Sequence, residues 1–126
     1  MRLLLDTAVL IYAVESTEHL SRRVAGALRK PENILELSAI SLVEITIKSA
    51  LGKLAMTEAI ARQAVNDLSI RVLPFTAEYA FQLFNLPRHH GDPFDRQIIA
   101  QALCEKIPVV TPDQKFSLYQ GLKVIW

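Results

Sequence analysis

Short runs dominated by aliphatic residues alternate along the chain with longer stretches in which apolar residues recur every three or four positions. The runs Arg2–Leu5, Ile34–Ala39, Arg71–Phe75, Ile107–Thr111 and Leu122–Ile125, most of them bounded by turn or cap residues, predict five β-strands. Between them Leu20, Val24, Ala27 and Leu28 repeat at helical spacing, as do Leu42, Ile45, Ile47 and Leu51, and again Ile98, Ile99, Ala102 and Leu103. Two further helices are expected to begin near Thr57 and Thr76, both residues of the N-cap type. Strands separated by helices of this length require right-handed crossovers. The pattern therefore predicts an α/β fold, a mostly parallel five-stranded sheet flanked by helices on both faces. With no repeat, low-complexity tract or charged tail, residues 1–126 are expected to form a single domain.

Composition narrows the chemistry. A hydrophobic fraction of 51% excludes disorder along the whole chain. A net charge of +1 denies the basic footprint of a protein that grips nucleic acid by charge alone, so any polyanion must be handled locally or through metal ions. Cys104 is the only cysteine, which excludes an intrachain disulfide framework and any zinc site built on several thiolates; it is expected to be a small buried hydrophobe. The opening residues superficially resemble a signal sequence, but Asp6 interrupts the apolar run and no stretch approaches a membrane span. The expectation is a soluble cytoplasmic protein with no membrane attachment.

In open α/β sheets ligands bind beyond the carboxyl ends of the strands. Asp6, Glu44, Asp92, Asp95 and Asp113 all fall just after a predicted strand or in the first turn of a helix, so five of the 13 acidic residues map to one rim. Each also has a local explanation. Ser41 and Glu44 have capping-box spacing, Asp92 before Pro93 has the signature of an N-cap, and Asp95 would face the positive end of a helix dipole. Asp113 after Pro112 suits a turn, and Asp6 could cap the first helix. Caps account best for Asp92. Convergence of Asp6, Glu44, Asp95 and Asp113 is different, because carboxylates brought to one edge repel unless protons or cations intervene. Clustered oxygen donors without thiolates suit Mg²⁺, with Mn²⁺ as a substitute.

The basic residues nearby divide. Lys48, four residues after Glu44, either pairs with that carboxylate or reaches a phosphate, and Arg96 is a second phosphate candidate. His89 and His90 adjoin each other on a loop, which is not zinc-ligand spacing, and they suit a phosphate contact less well. Phe75, Tyr79, Phe81, Phe84, Phe94 and Tyr119 fit core or interface packing better than a base-stacking platform.

The ordered segments LLLDTAVLIYA, SAISLVEITIKSALGKL, LPFTAEYA, HHGDPFDRQIIAQAL and VVTPDQKFSLY closely resemble the PIN-domain ribonucleases, specifically the VapC-like toxins of type II toxin–antitoxin pairs, over essentially the whole chain. The resemblance implies that Asp6, Glu44, Asp95 and Asp113 form an acidic Mg²⁺ site in an endoribonuclease. Around them Asp92, Lys48, Arg96, Thr7 and Thr111 are candidates to support the ligands or touch substrate. Val43 stands where Trp is frequent and Pro112 where a basic residue is, which bears on substrate grip and leaves the acidic set intact. The resemblance also implies an RNA substrate, an antitoxin protein as partner and a homodimer. Broad apolar faces at Ile11, Tyr12 and Val14 and from Ile45 to Leu54 suit either core or a groove for a partner helix. Two alternatives stand beside this reading, a housekeeping PIN nuclease that processes RNA or DNA and a non-catalytic α/β interaction module.

Overall fold

In a computed structural model describing all 126 residues, five strands form one sheet: β1 (Arg2–Leu5), β2 (Ile34–Ser38), β3 (Arg71–Leu73), β4 (Val109–Val110) and β5 (Val124–Ile125). All pairings are parallel and the order is β3-β2-β1-β4-β5. The connecting helices are α1 (Thr7–Glu15), α2 (Arg22–Arg29), α3 (Ala39–Ala50), α4 (Glu58–Asp67), α5 (Ala77–Gln82) and α6 (Pro93–Glu105). None is long and apolar enough to cross a membrane.

The strands are where the aliphatic runs place them but end sooner. β2 stops at Ser38 because its hydroxyl accepts the Ile40 N–H and opens α3, and β3 stops at Leu73 before Pro74. The two-residue alternation of the strands divides the core. Leu3, Leu5, Leu35, Leu37 and Val110 point to one face and pack with Val9, Leu10, Val24, Ile45 and Ala64 from α1 to α4. Leu4 and Val109 point to the other, against Ile98, Ile99 and Ala102 of α6 and Phe116 of the 3₁₀ turn at Gln114–Leu118. A buried leucine contributes roughly 1.5–3 kcal/mol, so two such layers supply the drive to close the sheet.

Between Leu35 and Leu37, Glu36 necessarily faces the α6 side and is wholly buried. It is held by Arg2 from β1 and Arg71 from β3, with Arg71 Nη2 2.6 Å from Glu36 Oε1 and Arg2 Nη2 3.0 Å from Glu36 Oε2. Arg2 also reaches Glu105, which accepts the Tyr79 hydroxyl hydrogen at 2.9 Å.

Three helices end in the same way. Gly52, Ser69 and Lys106 each adopt a left-handed φ, of 72°, 51° and 55°, and the next residue's N–H returns to a carbonyl five residues earlier, as in Lys53 N to Lys48 O. Two expectations, those for Cys104 and Ser41, need correction, and the one for Phe81 and Phe84 narrows from core or interface to interface. Cys104 is exposed, because the buried stripe of α6 runs through Ile98, Ile99, Gln101 and Ala102 and leaves it outside. Phe81 and Phe84 are 62% and 86% exposed, which removes them from the core. Ser41 is no helix cap: Ser38 caps α3 one turn earlier, so Ser41 lies inside the helix and Glu44 falls in its second turn and not its first.

The chain moves outward from β1 through β2 to β3 in one direction, then places β4 and β5 on β1's other side. A crevice opens where that direction reverses, at the carboxyl ends of β1 and β4.

Candidate active site

Asp6 follows β1 directly, and its backbone N–H is anchored to Val110 O at 3.0 Å. It occupies the N-cap position of α1 but makes no side-chain cap bond; its Oδ2 instead accepts the Thr111 hydroxyl hydrogen at 2.7 Å. Thr111 is buried at the end of β4, and its hydroxyl oxygen accepts the Asp113 N–H at 3.1 Å, so one threonine ties two acidic residues to the strand ends. Thr7 and Ser41, both buried, join α1 to α3 through hydroxyls 2.8 Å apart. That contact fixes the turn of α3 that delivers Glu44, one residue beyond Val43, into the crevice.

Asp92 is the cap its sequence context suggests, with its Oδ1 accepting the N–H groups of Phe94 and Asp95 at 2.8 and 3.2 Å. The same geometry aims Asp95 from the first turn of α6. Asp113 starts the 3₁₀ turn and accepts the Lys115 N–H at 2.9 Å.

These elements bring Asp6, Glu44, Asp92, Asp95 and Asp113 to the lining of one cleft of about 310 Å³, together with Thr7, Ile11, Tyr12 and Lys48. Five carboxylates meet one cation there. Lys48 Nζ lies 2.7 Å from Glu44 Oε2, and that bond chiefly holds the ammonium above the usual lysine range. Glu44 Oε1 is buried without any hydrogen-bond partner. Burial pushes the Asp95 carboxyl up to about 8, with the charges of Asp6, Asp92, Glu44 and Asp113 adding to the effect. Burial likewise raises Asp6 to about 6, against the lowering effect of the Thr111 hydroxyl. The site therefore holds negative charge it cannot neutralise from its own side chains. A buried orphan oxygen among like-charged neighbours is what a hard cation satisfies, so the residues present fit Mg²⁺ or Mn²⁺.

Arg96 is turned elsewhere. Its guanidinium donates to Leu86 O at 3.2 Å and Pro87 O at 2.8 Å, clamping the loop before α6. His90 was the residue least visible beforehand: it is buried, and its Nε2 lies 2.8 Å from Asp95 Oδ2 and 2.9 Å from Asp113 Oδ2. The only signal available was its position two residues before the capping Asp92. Of the two settings expected for Ile11 and Tyr12, core or groove, both residues take the second and line the cleft, the Tyr12 ring packing on His19 with centroids 5.1 Å apart.

A larger cleft of about 740 Å³ lies between α3 and α4, lined by apolar side chains that include Leu42, Ile45, Met56, Ala61 and Val65. Its acidic lining is limited to Glu58, which pairs with Arg62 at 2.7 Å.

Comparison with known proteins agrees with this architecture. The sequence profile of the PIN domain matches residues 3–122. The fold is similar to the VapBC2 complex from Rickettsia felis bound to a DNA fragment from their promoter (18% identity, 99% of this chain and 98% of that chain, TM-score 0.77). It is similar also to VapBC-1 from nontypeable Haemophilus influenzae (20% identity, 99% and 97%, TM-score 0.69). A third match is VapBC-5 of the VapBC family of toxin–antitoxin systems, from Mycobacterium tuberculosis (20% identity, 98% and 97%, TM-score 0.62). No curated protein matches by sequence.

Proposed function

The chain belongs to the PIN-domain family, whose members are generally nucleases, and from that premise we propose that it is a metal-dependent endoribonuclease and the toxin of a type II toxin–antitoxin pair. One observation carries the reading: five carboxylates share a cleft with a single lysine, and one of their oxygens is buried with no protein partner. Asp6, Glu44, Asp95 and Asp113 would hold the cation. When bound, Mg²⁺ or Mn²⁺ supplies charge neutralisation, a water acidic enough to attack at neutral pH and stabilisation of the leaving oxygen.

The chain's own residues do the rest. Asp95, raised to about 8, carries a proton at neutral pH before a cation arrives and releases it on loading. Thr111 keeps Asp6 oriented, and the Thr7–Ser41 bond holds the helix that bears Glu44. Lys48, 44% exposed at its side chain, is the group placed to meet a phosphate as the anionic backbone approaches an acidic cleft. Ile11 and Tyr12 form an apolar wall suited to a sugar or base. The expected products carry 5′-phosphate and 3′-hydroxyl ends.

The apolar cleft between α3 and α4 supports an antitoxin partner, since an amphipathic segment would bury its apolar face there. Exposed Phe81 and Phe84 support a homodimer. In this reading residues 1–126 act as a single domain in the cytoplasm.

The test is cleavage of end-labelled RNA by the purified chain. Cutting is expected with Mg²⁺ or Mn²⁺, none with a chelator, and none from folded Asp6→Asn or Asp95→Asn variants. Cleavage that persists in chelator, or in both variants, removes the acidic cleft from the chemistry. Expression without a partner is expected to arrest growth; unhindered growth by an active nuclease would remove the toxin assignment and leave a housekeeping enzyme.

A further inference from the structure

His90 stands behind the acidic cleft without lining it. Its ring Nδ1 accepts the backbone N–H of Asp92 at 3.1 Å. An imidazole nitrogen that accepts carries no hydrogen, so the ring's hydrogen is on Nε2. Moving it to Nδ1, or protonating both nitrogens, would set two donors against each other at Asp92. Nε2 is the atom that lies 2.8 Å from Asp95 Oδ2 and 2.9 Å from Asp113 Oδ2. A nitrogen bearing hydrogen has no lone pair for a metal, so His90 acts here as a donor even though its ring and the two carboxylates offer atoms within 4.8 Å of one another. That N–H donates to Asp113 while the same nitrogen lies against Asp95, which keeps the two side chains side by side without occupying the cation's place.

The ring is itself held. Its backbone N–H donates to the Tyr119 hydroxyl at 3.0 Å, and its edge packs on Phe116 with centroids 6.1 Å apart. Phe116 and Tyr119 are both buried. Arg96 restrains the preceding loop through its two carbonyl contacts and approaches the same Tyr119 hydroxyl at 3.4 Å. Asp113 is thereby caught at both oxygens, by Lys115 N–H on Oδ1 and by His90 on Oδ2.

We propose that His90 is a positioning residue of the metal-dependent site described above: its Nε2–H donates to the loop residue Asp113 while the ring nitrogen rests 2.8 Å from Asp95 of the helix, so that the two acidic side chains stay together as one cation-binding set. The inference rests on the metal-site reading but does not require the nuclease reading to be right.

The test uses Mn²⁺ binding to the purified full chain, followed by electron paramagnetic resonance, beside RNA cleavage. His90→Leu fills the space without a donor and is expected to weaken Mn²⁺ binding about tenfold, the usual scale for groups that orient metal ligands. His90→Gln, which restores an N–H, is expected to recover most of that loss. In an Asp113→Asn background His90→Leu is expected to add little, because the two residues act as a unit. Equal affinity in the Leu, Gln and unaltered chains overturns the proposal, as do losses that multiply between His90→Leu and Asp113→Asn. Should His90→Leu not fold, Tyr119→Phe frees the loop without touching a carboxylate and is expected to cost a few fold in Mn²⁺ affinity with an unchanged circular dichroism spectrum; no loss overturns it. A chain whose Mn²⁺ affinity depends on His90 yet which cuts no RNA sinks the nuclease reading alone. Mn²⁺ affinity indifferent to His90 in a chain that still cuts RNA sinks this proposal alone, and absence of Mn²⁺ binding by the unaltered chain sinks it together with the metal site.

Discussion

At the scale of single residues, Asp6 and Asp95 link function to stability. Their carboxyls are raised to about 6 and about 8 in the folded chain, above the roughly 3.9 of an unfolded aspartate. The folded state thus binds more protons than the unfolded state between these limits, and stability must fall as pH rises through them. In chelator and low salt, the thermal midpoint is expected to drop from pH 5 to pH 8, to flatten in Asp95→Asn, and to recover most on adding Mg²⁺ at pH 8. Calorimetry across that range checks all three, and a midpoint rising with pH would contradict the site's electrostatics. Asp6, Asp95 and Asp113 were legible in the sequence because each follows a strand or opens a helix, whereas Glu44, in the second turn of α3, was picked out by a capping-box spacing that the helix does not use. His90 was not, since no periodicity or cap marks a histidine whose importance lies in residues at positions 95 and 113. Ser41 misled for a related reason: its spacing to Glu44 suits a cap, while Ser38 provides a cap one turn earlier and frees Ser41 to bind Thr7.

At the scale of elements, the helix ends and the central strand carry separate expectations. Ser69 takes the left-handed conformation that Gly52 takes at the end of α3, but with a Cβ that makes it costly. Ser69→Gly is expected to stabilise the chain by about 0.5–1 kcal/mol in urea unfolding, the left-handed strain relieved being partly offset by added unfolded-state freedom. Glu36 behaves oppositely. Removing it in Glu36→Ala leaves Arg2 and Arg71 facing an apolar layer, and a loss of about 2–3 kcal/mol is expected, below the usual toll of breaking a buried pair because Arg71 is 61% exposed. Denaturant titration measures this, and a neutral effect would mean that solvent already screens the pair. The strands themselves were predictable from aliphatic runs, but their lengths were not. β4 and β5 are only two residues each: β4 pairs with only Leu4 and Leu5 of the longer β1 and starts just after Pro108, which has no N–H to give the ladder, and β5 pairs with β4 alone.

At the scale of the whole molecule, the acidic and the apolar cleft share α3, and the exposed aromatics lie apart from both, at Phe81 of α5 and Phe84 just beyond it. On the homodimer proposed above, Phe84→Glu, at a side chain 86% exposed, is expected to leave folding untouched and to shift sedimentation from dimer to monomer. A native-sized dimer in that variant would move the interface elsewhere. The parallel strand order could be narrowed in advance by handedness and crossover rules, whereas which apolar faces stay open could not, since a half-covered helix and a fully covered one share the same periodicity. The placement of β1 at the centre of the sheet has one more effect. Asp6 is made early, but its hydroxyl partner is Thr111, 105 residues later, and the Thr111 N–H in turn needs Ile125 O. A nascent polypeptide still emerging from the ribosome therefore carries an incomplete cleft, and a destructive activity would switch on only after synthesis has passed β5, leaving translation time for whatever must restrain it.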